Sequence, residues 1–180
     1  MADYIVRKGY GQVEPNHLSA QTNGQIYAQL PASTALTTLE NGMFLKYDYA
    51  NGECNLTGDG EWMLVMNEIK LYDPRKQGLR HYAMKADDFM NKEIVPRLLK
   101  TSVGDIYTTN CMGVAASSDE AVINAAAGAI QVTAGTTILT PNSTTGYLKV
   151  GSTADSMQWR VVKVYTMPDG QIGVKLQRIA

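Results

Sequence analysis

The chain has 180 residues and a formal net charge of −1, with 44% hydrophobic and 18% charged side chains. That length supports one domain with a real core, and the charge balance argues against a nucleic-acid binder, which carries a basic excess or a dense basic patch. The longest uninterrupted apolar run, Trp62-Met63-Leu64-Val65-Met66, is far too short for a membrane span.

Plentiful Gly (16), Tyr (10), Thr and Asn favour strands and turns over helices. The expected fold is mainly β: an antiparallel β-barrel or β-sandwich with one or two short helices and an extended N-terminal arm. The arm is residues 1–33, polar and irregular around Gly9, Gly11, Pro15 and Pro31, with a short apolar stretch at Tyr4-Ile5-Val6. It reads either as a partly disordered terminus or as a segment that orders on a partner. The opening MADYIVRKGYGQ has no apolar leader or cleavage pattern, so secretory export is not expected.

Residues 34–180 form the expected β-rich domain. Leu45, Tyr47 and Tyr49 alternate with Lys46 and Asp48 ahead of Asn51-Gly52, a strong signal for a two-residue hairpin turn. Pairing across that turn sets Tyr49 opposite Cys54 and Tyr47 opposite Leu56, with both tyrosines on the apolar face. A long strand starts at Glu61, after the Gly58-Asp59-Gly60 turn, and is ended by Pro74, with a bulge expected at Asn67. Residues 74–85 read as a basic surface loop. Short helices are expected over 86–95 and over 117–128, where Ser117 and Glu120 have capping-box spacing and Gly128 is a stop. Between them RLLKTSVGDIYTTNC reads as strand, turn, strand. Four further strand segments follow, and Trp62 and Trp159, each opening a strand, are expected in the core.

The chain closes on RVVKVYTMPDGQIGVKLQRIA. Pro168 excludes a type I′ turn, so a three-residue loop with Gly170 in the left-handed region sets the register. Val164 then pairs with Val174 and Val162 with Leu176; on the other face Lys163 meets Lys175 and Arg160 meets Arg178. Residues 159–180 hold four bases and one acid, a local +3 that leaves −4 for the other 158 residues. Like charges across a ladder are unfavourable. Either the lysines guard an edge hairpin against unwanted pairing, or they form a docking surface for acidic groups.

Catalytic signatures are missing. The sequence contains no G-x-S-x-G elbow, Walker-type loop, H-E-x-x-H or C-x-x-C pair. Cys54 and Cys111 read as buried free thiols, and His17 and His81 as polar loop residues. Asn55–Gly60 has a passing likeness to a calcium loop, but its twelfth position is Met66 instead of glutamate. Two glycosylation-type triplets, at Asn55 and Asn142, read as chance matches. No metal, cofactor or enzymatic activity is expected.

The stretches LENGMFLKYDY, GEWMLVMNEIKLYDPR, TSVGDIYTTN and WRVVKVYTMPDGQIGVKLQRI resemble a group of small structural proteins of tailed bacteriophages, including capsid decoration (cement) proteins. The likeness spans most of 36–110 and 145–180 and lies in phrasing and β-rich layout. It implies a virion component, made in the host bacterial cytoplasm, that binds the exterior of the expanded capsid and ties neighbouring capsomers together. It further implies the major capsid protein as partner, a homo-oligomer such as a trimer, and an arm reaching onto the shell. Candidate contact residues are Tyr4, Ile5, Arg7 and Lys8 in the arm, and Arg160, Lys163, Lys175 and Arg178 in the hairpin. A head–tail joining or tail component is the alternative within the virion. A glycan-binding β-sandwich using Trp62, Trp159 and the tyrosines is the alternative outside it.

Overall fold

The structure is a computed structural model that describes residues 3–6, 11–22, 28–67, 83–85, 95–112, 122–124, 129–167 and 172–180. In chain order the first strands are β1 (Asp3–Val6), β2 (Val13–His17), β3 (Ala28–Gln29), β4 (Thr38–Glu40), β5 (Phe44–Asp48), β6 (Glu53–Asn55), β7 (Trp62–Val65) and β8 (Ala83–Lys85). They are followed by β9 (Arg97–Leu99), β10 (Ile106–Thr109), β11 (Val122–Asn124), β12 (Ala129–Val132), β13 (Ile138–Pro141), β14 (Leu148–Val150), β15 (Trp159–Thr166) and β16 (Ile172–Arg178). A single turn, α1 (Ser19–Thr22), is the one helix among the described residues.

The fold is the expected mainly β, antiparallel class. Two sheets dominate: a six-stranded sheet in the order β14-β13-β15-β16-β10-β2 and a five-stranded sheet in the order β3-β9-β7-β5-β6. Two smaller sheets, β1-β12-β11 and β4-β8, complete the set. Side chains from facing surfaces of the two large sheets form one core: Phe44, Trp62, Leu64 and Leu99 from one, and Tyr107, Leu139, Leu148, Trp159, Val161, Val174 and Leu176 from the other. Leu45, Cys54, Met63, Val65 and Leu98 occupy the opposite side of the five-stranded sheet, beneath Ala32, Leu36 and Leu39. That sheet is therefore covered on both sides, which is why its central strand β7 reads as an unbroken apolar run.

Three of the strand edges are covered or blunted. Residues 31–33 lie along β6, with the Cys54 N–H donating to Pro31 O and the Ser33 N–H to Cys54 O, each at 2.9 Å. Met112 bridges to Leu148 on the outer side of β14. The edge strand β2 contains Pro15, which has no N–H to offer. Within the segment read as an extended arm, β1 pairs with β12, β2 with β10 and β3 with β9.

Several local expectations are corrected. In the first hairpin Tyr47 pairs with Cys54 and Asp48 with Glu53, a register two residues from the expected one. The cause is Asp48. Its carboxylate accepts from the N–H groups of Ala50 (3.1 Å) and Asn51 (3.0 Å) and from the side-chain amides of Asn51 and Asn55. This Asx-type capping draws residues 49–52 into a four-residue loop and leaves Tyr49 66% exposed instead of in the core. Strand β7 ends before Asn67, which exchanges hydrogen bonds with Asn41 (2.7 and 3.0 Å) where a bulge was expected. Of the stretch 117–128, expected to be helical, the described residues 122–124 form strand β11: β-branched Val122 and Ile123 suit an edge position beside β12 better than a helical turn. Residues 83–85, expected in a loop, form β8 against β4. The expected helix over 86–95 lies, except for Val95, outside the described residues, as do His81 and the turn at 168–171.

Strand–turn–strand over 97–109 is found as expected, although β9 and β10 enter different sheets. Both tryptophans are in the core, and both cysteines are buried as thiols outside any disulfide.

Candidate functional site

The closing hairpin has the pairing Lys163–Lys175 and Val164–Val174, as its spacing predicts, but a bulge between Val161 and Lys163 changes the rest. Val161, not Val162, pairs with Leu176, while Arg160 pairs with Gln177 and Arg178 with Trp159. Physically the bulge resolves a phase conflict. Trp159 and Val161 lie on one alternation and Val164 on the other, and one extra residue lets all three face the core. Val162, the residue in excess, is 44% exposed.

The four hairpin bases consequently do different things. Arg178 shares a sheet face with Trp159 at the end of the core. Its guanidinium donates to the Thr101 carbonyl, to Thr101 Oγ1 (2.9 Å) and to Ala180 O (3.0 Å). Burial lowers its pKa from the usual range, with Glu61 and Asp105 acting the other way. It closes the C-terminus and is not a free surface cation. Arg160 and Lys163 are exposed and Lys175 half-buried, all on the outer face.

On that face the register aligns Lys163, Lys175, Thr108 and Glu14 in one row across β15, β16, β10 and β2. The sheet curls enough for the Tyr165 hydroxyl, three strands from β2, to donate to the Glu14 carboxylate. Desolvation, then this hydrogen bond, raises the Tyr165 pKa. Lys175 Nζ lies 5.8 Å from the centroid of the Tyr165 ring, and Thr108 donates to Asn16 Oδ1 at 2.8 Å. Glu14 is thus engaged by a phenol. Among the described residues no carboxylate forms an ion pair with Arg160, Lys163 or Lys175. Sequence reasoning missed Glu14 and Tyr165, because nothing local links two residues 151 apart.

The sheet order bears on the two readings of the lysines. Lys163 lies where β15 has run past β13, so an edge role fits it. Lys175 lies in β16, flanked by Lys163 on one side and Thr108 on the other. Edge protection does not account for a lysine in an interior strand.

Of the arm candidates, Tyr4 and Ile5 are in β1, paired with Gln131 and Ile130, and β1 runs near β16. Arg7 and Lys8 lie outside the described residues.

A buried polar seam holds the segment that follows. The Gly11 N–H donates to Glu40 Oε2 (2.5 Å), Tyr147 to Glu40 Oε1 (2.6 Å), and the Gln12 N–H to Asn110 Oδ1 (2.7 Å). Ser19 is fixed by Asp105 through its N–H (3.0 Å) and its hydroxyl. The Glu40 carboxylate thus accepts from the Gly11 backbone and the Tyr147 phenol, and Asp105 accepts from Ser19 and from the Ser102 N–H (2.8 Å), so both tie the segment to the fold. Among the described residues no group of three His, Cys, Asp or Glu is gathered where it could hold a metal ion.

No protein-family model matches the chain, and no curated protein or solved structure matches it.

Proposed function

We propose that the chain is a non-enzymatic structural protein of a tailed-phage virion, which docks on the outer surface of the assembled capsid and stabilises contacts between capsomers. The observation that carries this reading is the Lys163–Lys175 pair: like charges opposite each other on an outer sheet face, without a carboxylate partner among the described residues. Such a pair costs the isolated fold a few tenths to about 1 kcal/mol and is relieved when acidic groups arrive from a partner. The sequence resemblance supplies the partner class, the major capsid protein. A homo-oligomer, such as a trimer, repeated over the shell would hold by many modest contacts acting together. Tyr4, Ile5, Arg7 and Lys8 remain the proposed arm contacts, and Arg160, Lys163 and Lys175 the hairpin contacts. Arg178 joins them only through its fold role.

The head–tail joining reading uses the same surface at low copy number. The glycan reading loses Trp62 and Trp159 to the core and would rest on Tyr47 and exposed Tyr49, whose ring centroids are 4.3 Å apart. Quantitative mass spectrometry of gradient-purified virions separates these. A copy number comparable with that of the shell protein supports decoration, a ring's worth places the chain at the neck or tail, and absence overturns the virion assignment.

A further inference from the structure

Strand β13 accompanies β15 only at Trp159 and Arg160. The turn before β13 adds one more step, with the Val161 N–H donating to Thr137 O (2.9 Å) and the Gly135 N–H to Val161 O (2.7 Å). From Val162 to Thr166, β15 has β16 on one side and no backbone partner among the described residues on the other. Five residues is an ordinary strand length. The same hairpin presents Val162 and Ile172, 44% and 42% exposed, two of the large hydrophobic side chains left outside the core.

We propose that the Val162–Thr166 edge of β15 takes up an extended acidic segment of the docking partner by strand addition. The inference rests on the docking reading and names its mode. Main-chain hydrogen bonds supply the hold and alternate side chains the selectivity. A residue added opposite Lys163 would lie about 5 Å from it, on the side away from Lys175, so a carboxylate there would pair with Lys163 and offset part of its repulsion with Lys175. The exposed Val162 offers apolar area to the same segment.

The edge also selects against the commonest wrong partner. A second copy of this edge, paired antiparallel, would set two Lys163 side chains on one short ladder, and the bulge at Val162 spoils a flat template. Repulsion of itself and attraction for an acidic strand are two sides of one charge.

The test uses the full chain. Its binding to undecorated expanded shells is measured by co-sedimentation, and amide exchange over 162–166 is followed by mass spectrometry, free and bound. In parallel it is titrated with a blocked decapeptide of alternating glutamate and valine, and with the same peptide carrying lysine for glutamate. Strand addition predicts slowed exchange over 162–166 with shells and with the acidic peptide. It also predicts at least about tenfold weaker binding of the lysine peptide and of the acidic peptide to Lys163→Glu. Shell binding without slowed exchange over 162–166 overturns strand addition and leaves docking intact. Failure to bind shells overturns the docking reading, and the acidic peptide then decides strand addition alone: no protection by it ends the proposal.

Discussion

Tyr107 and Trp159 meet edge to face in the middle of the sandwich, their ring centroids 4.8 Å apart and their planes at 88°. Phe44, from the opposite sheet, lies 5.9 Å from the same tryptophan. Three rings from two sheets thus join the layers, in the T-shaped and tilted geometries that aromatic quadrupoles favour. Packing here overrides polarity: the Tyr107 hydroxyl and Trp159 Nε1 are buried without a hydrogen-bond partner among the described residues.

That relationship predicts an asymmetry. Tyr107→Phe keeps the ring and deletes a buried hydroxyl, so stability should hold or rise by up to about 1 kcal/mol. Tyr107→Ala deletes the ring and should cost about 3–5 kcal/mol. Chemical denaturation of the two variants checks this, and a clear loss in Tyr107→Phe would show that the hydroxyl has a hydrogen-bond partner in the folded protein.

Two glycines with positive φ should respond very differently to alanine. Gly52 (φ +63°) has open space around the position of a Cβ, so only the backbone term of about 1 kcal/mol applies. Gly42 (φ +94°) would place its Cβ 2.5 Å from the Cys111 Cβ in a buried seam. Gly42→Ala should cost about 3 kcal/mol or more, read as a drop in midpoint denaturant concentration against Gly52→Ala.

Burial pushes the Cys54 thiol up to about 12, with Glu53 adding a smaller push in the same direction. A raised folded-state pKa means that this contribution to stability is complete below the unfolded thiol value and is lost as pH climbs toward 12. Melting temperature should therefore decline above about pH 9, less steeply in Cys54→Ala. The native thiol should resist a maleimide at pH 8 that labels the unfolded chain.

For Asp48 the sign is opposite. Hydrogen bonds from the Asn51 side chain and backbone, then from Asn55, hold its pKa below the usual value. The stabilisation is present above the unfolded carboxyl pKa and disappears as pH falls through the folded one. The stability difference between the wild type and Asp48→Ala should shrink toward zero on acidification, together with the amide-shift signature of the 49–52 loop.

Charge reversal at Lys163 should divide stability from docking. Lys163→Glu replaces a like-charge cross-strand pair by an opposite one, so the fold should be unchanged or more stable by up to about 1 kcal/mol. Shell binding should fall. A variant that is stabilised and still binds normally would reduce Lys163 to a guard of the open edge, in keeping with its place beyond β13.

Much of the fold was legible because its signals are local. Alternating apolar residues marked β5, β15 and β16, turn chemistry marked their connections, and the poor context of Cys54 and Cys111 for any site foretold buried thiols outside any disulfide. Registers were legible only where nothing competed with the turn signal. At Asn51-Gly52, Asp48 competed for the same backbone N–H groups and moved the pairing by two residues. At Val162 the conflict of phase was visible in Trp-Arg-Val-Val-Lys-Val, yet which residue would be extruded depended on the core beneath it.

The sequence by itself determined that this chain is mainly β, that a basic hairpin closes it, and that Lys163 faces Lys175, because period-two alternation and a proline-containing loop act over a few residues. Only the tertiary structure decided what those bases meet. Strand order put Lys175 inside a sheet, sheet curl brought Tyr165 to Glu14, and packing at the core's end tied Arg178 to Thr101. Those relations depend on segments far apart along the chain, and such partners become neighbours only through the long-range pairing of strands.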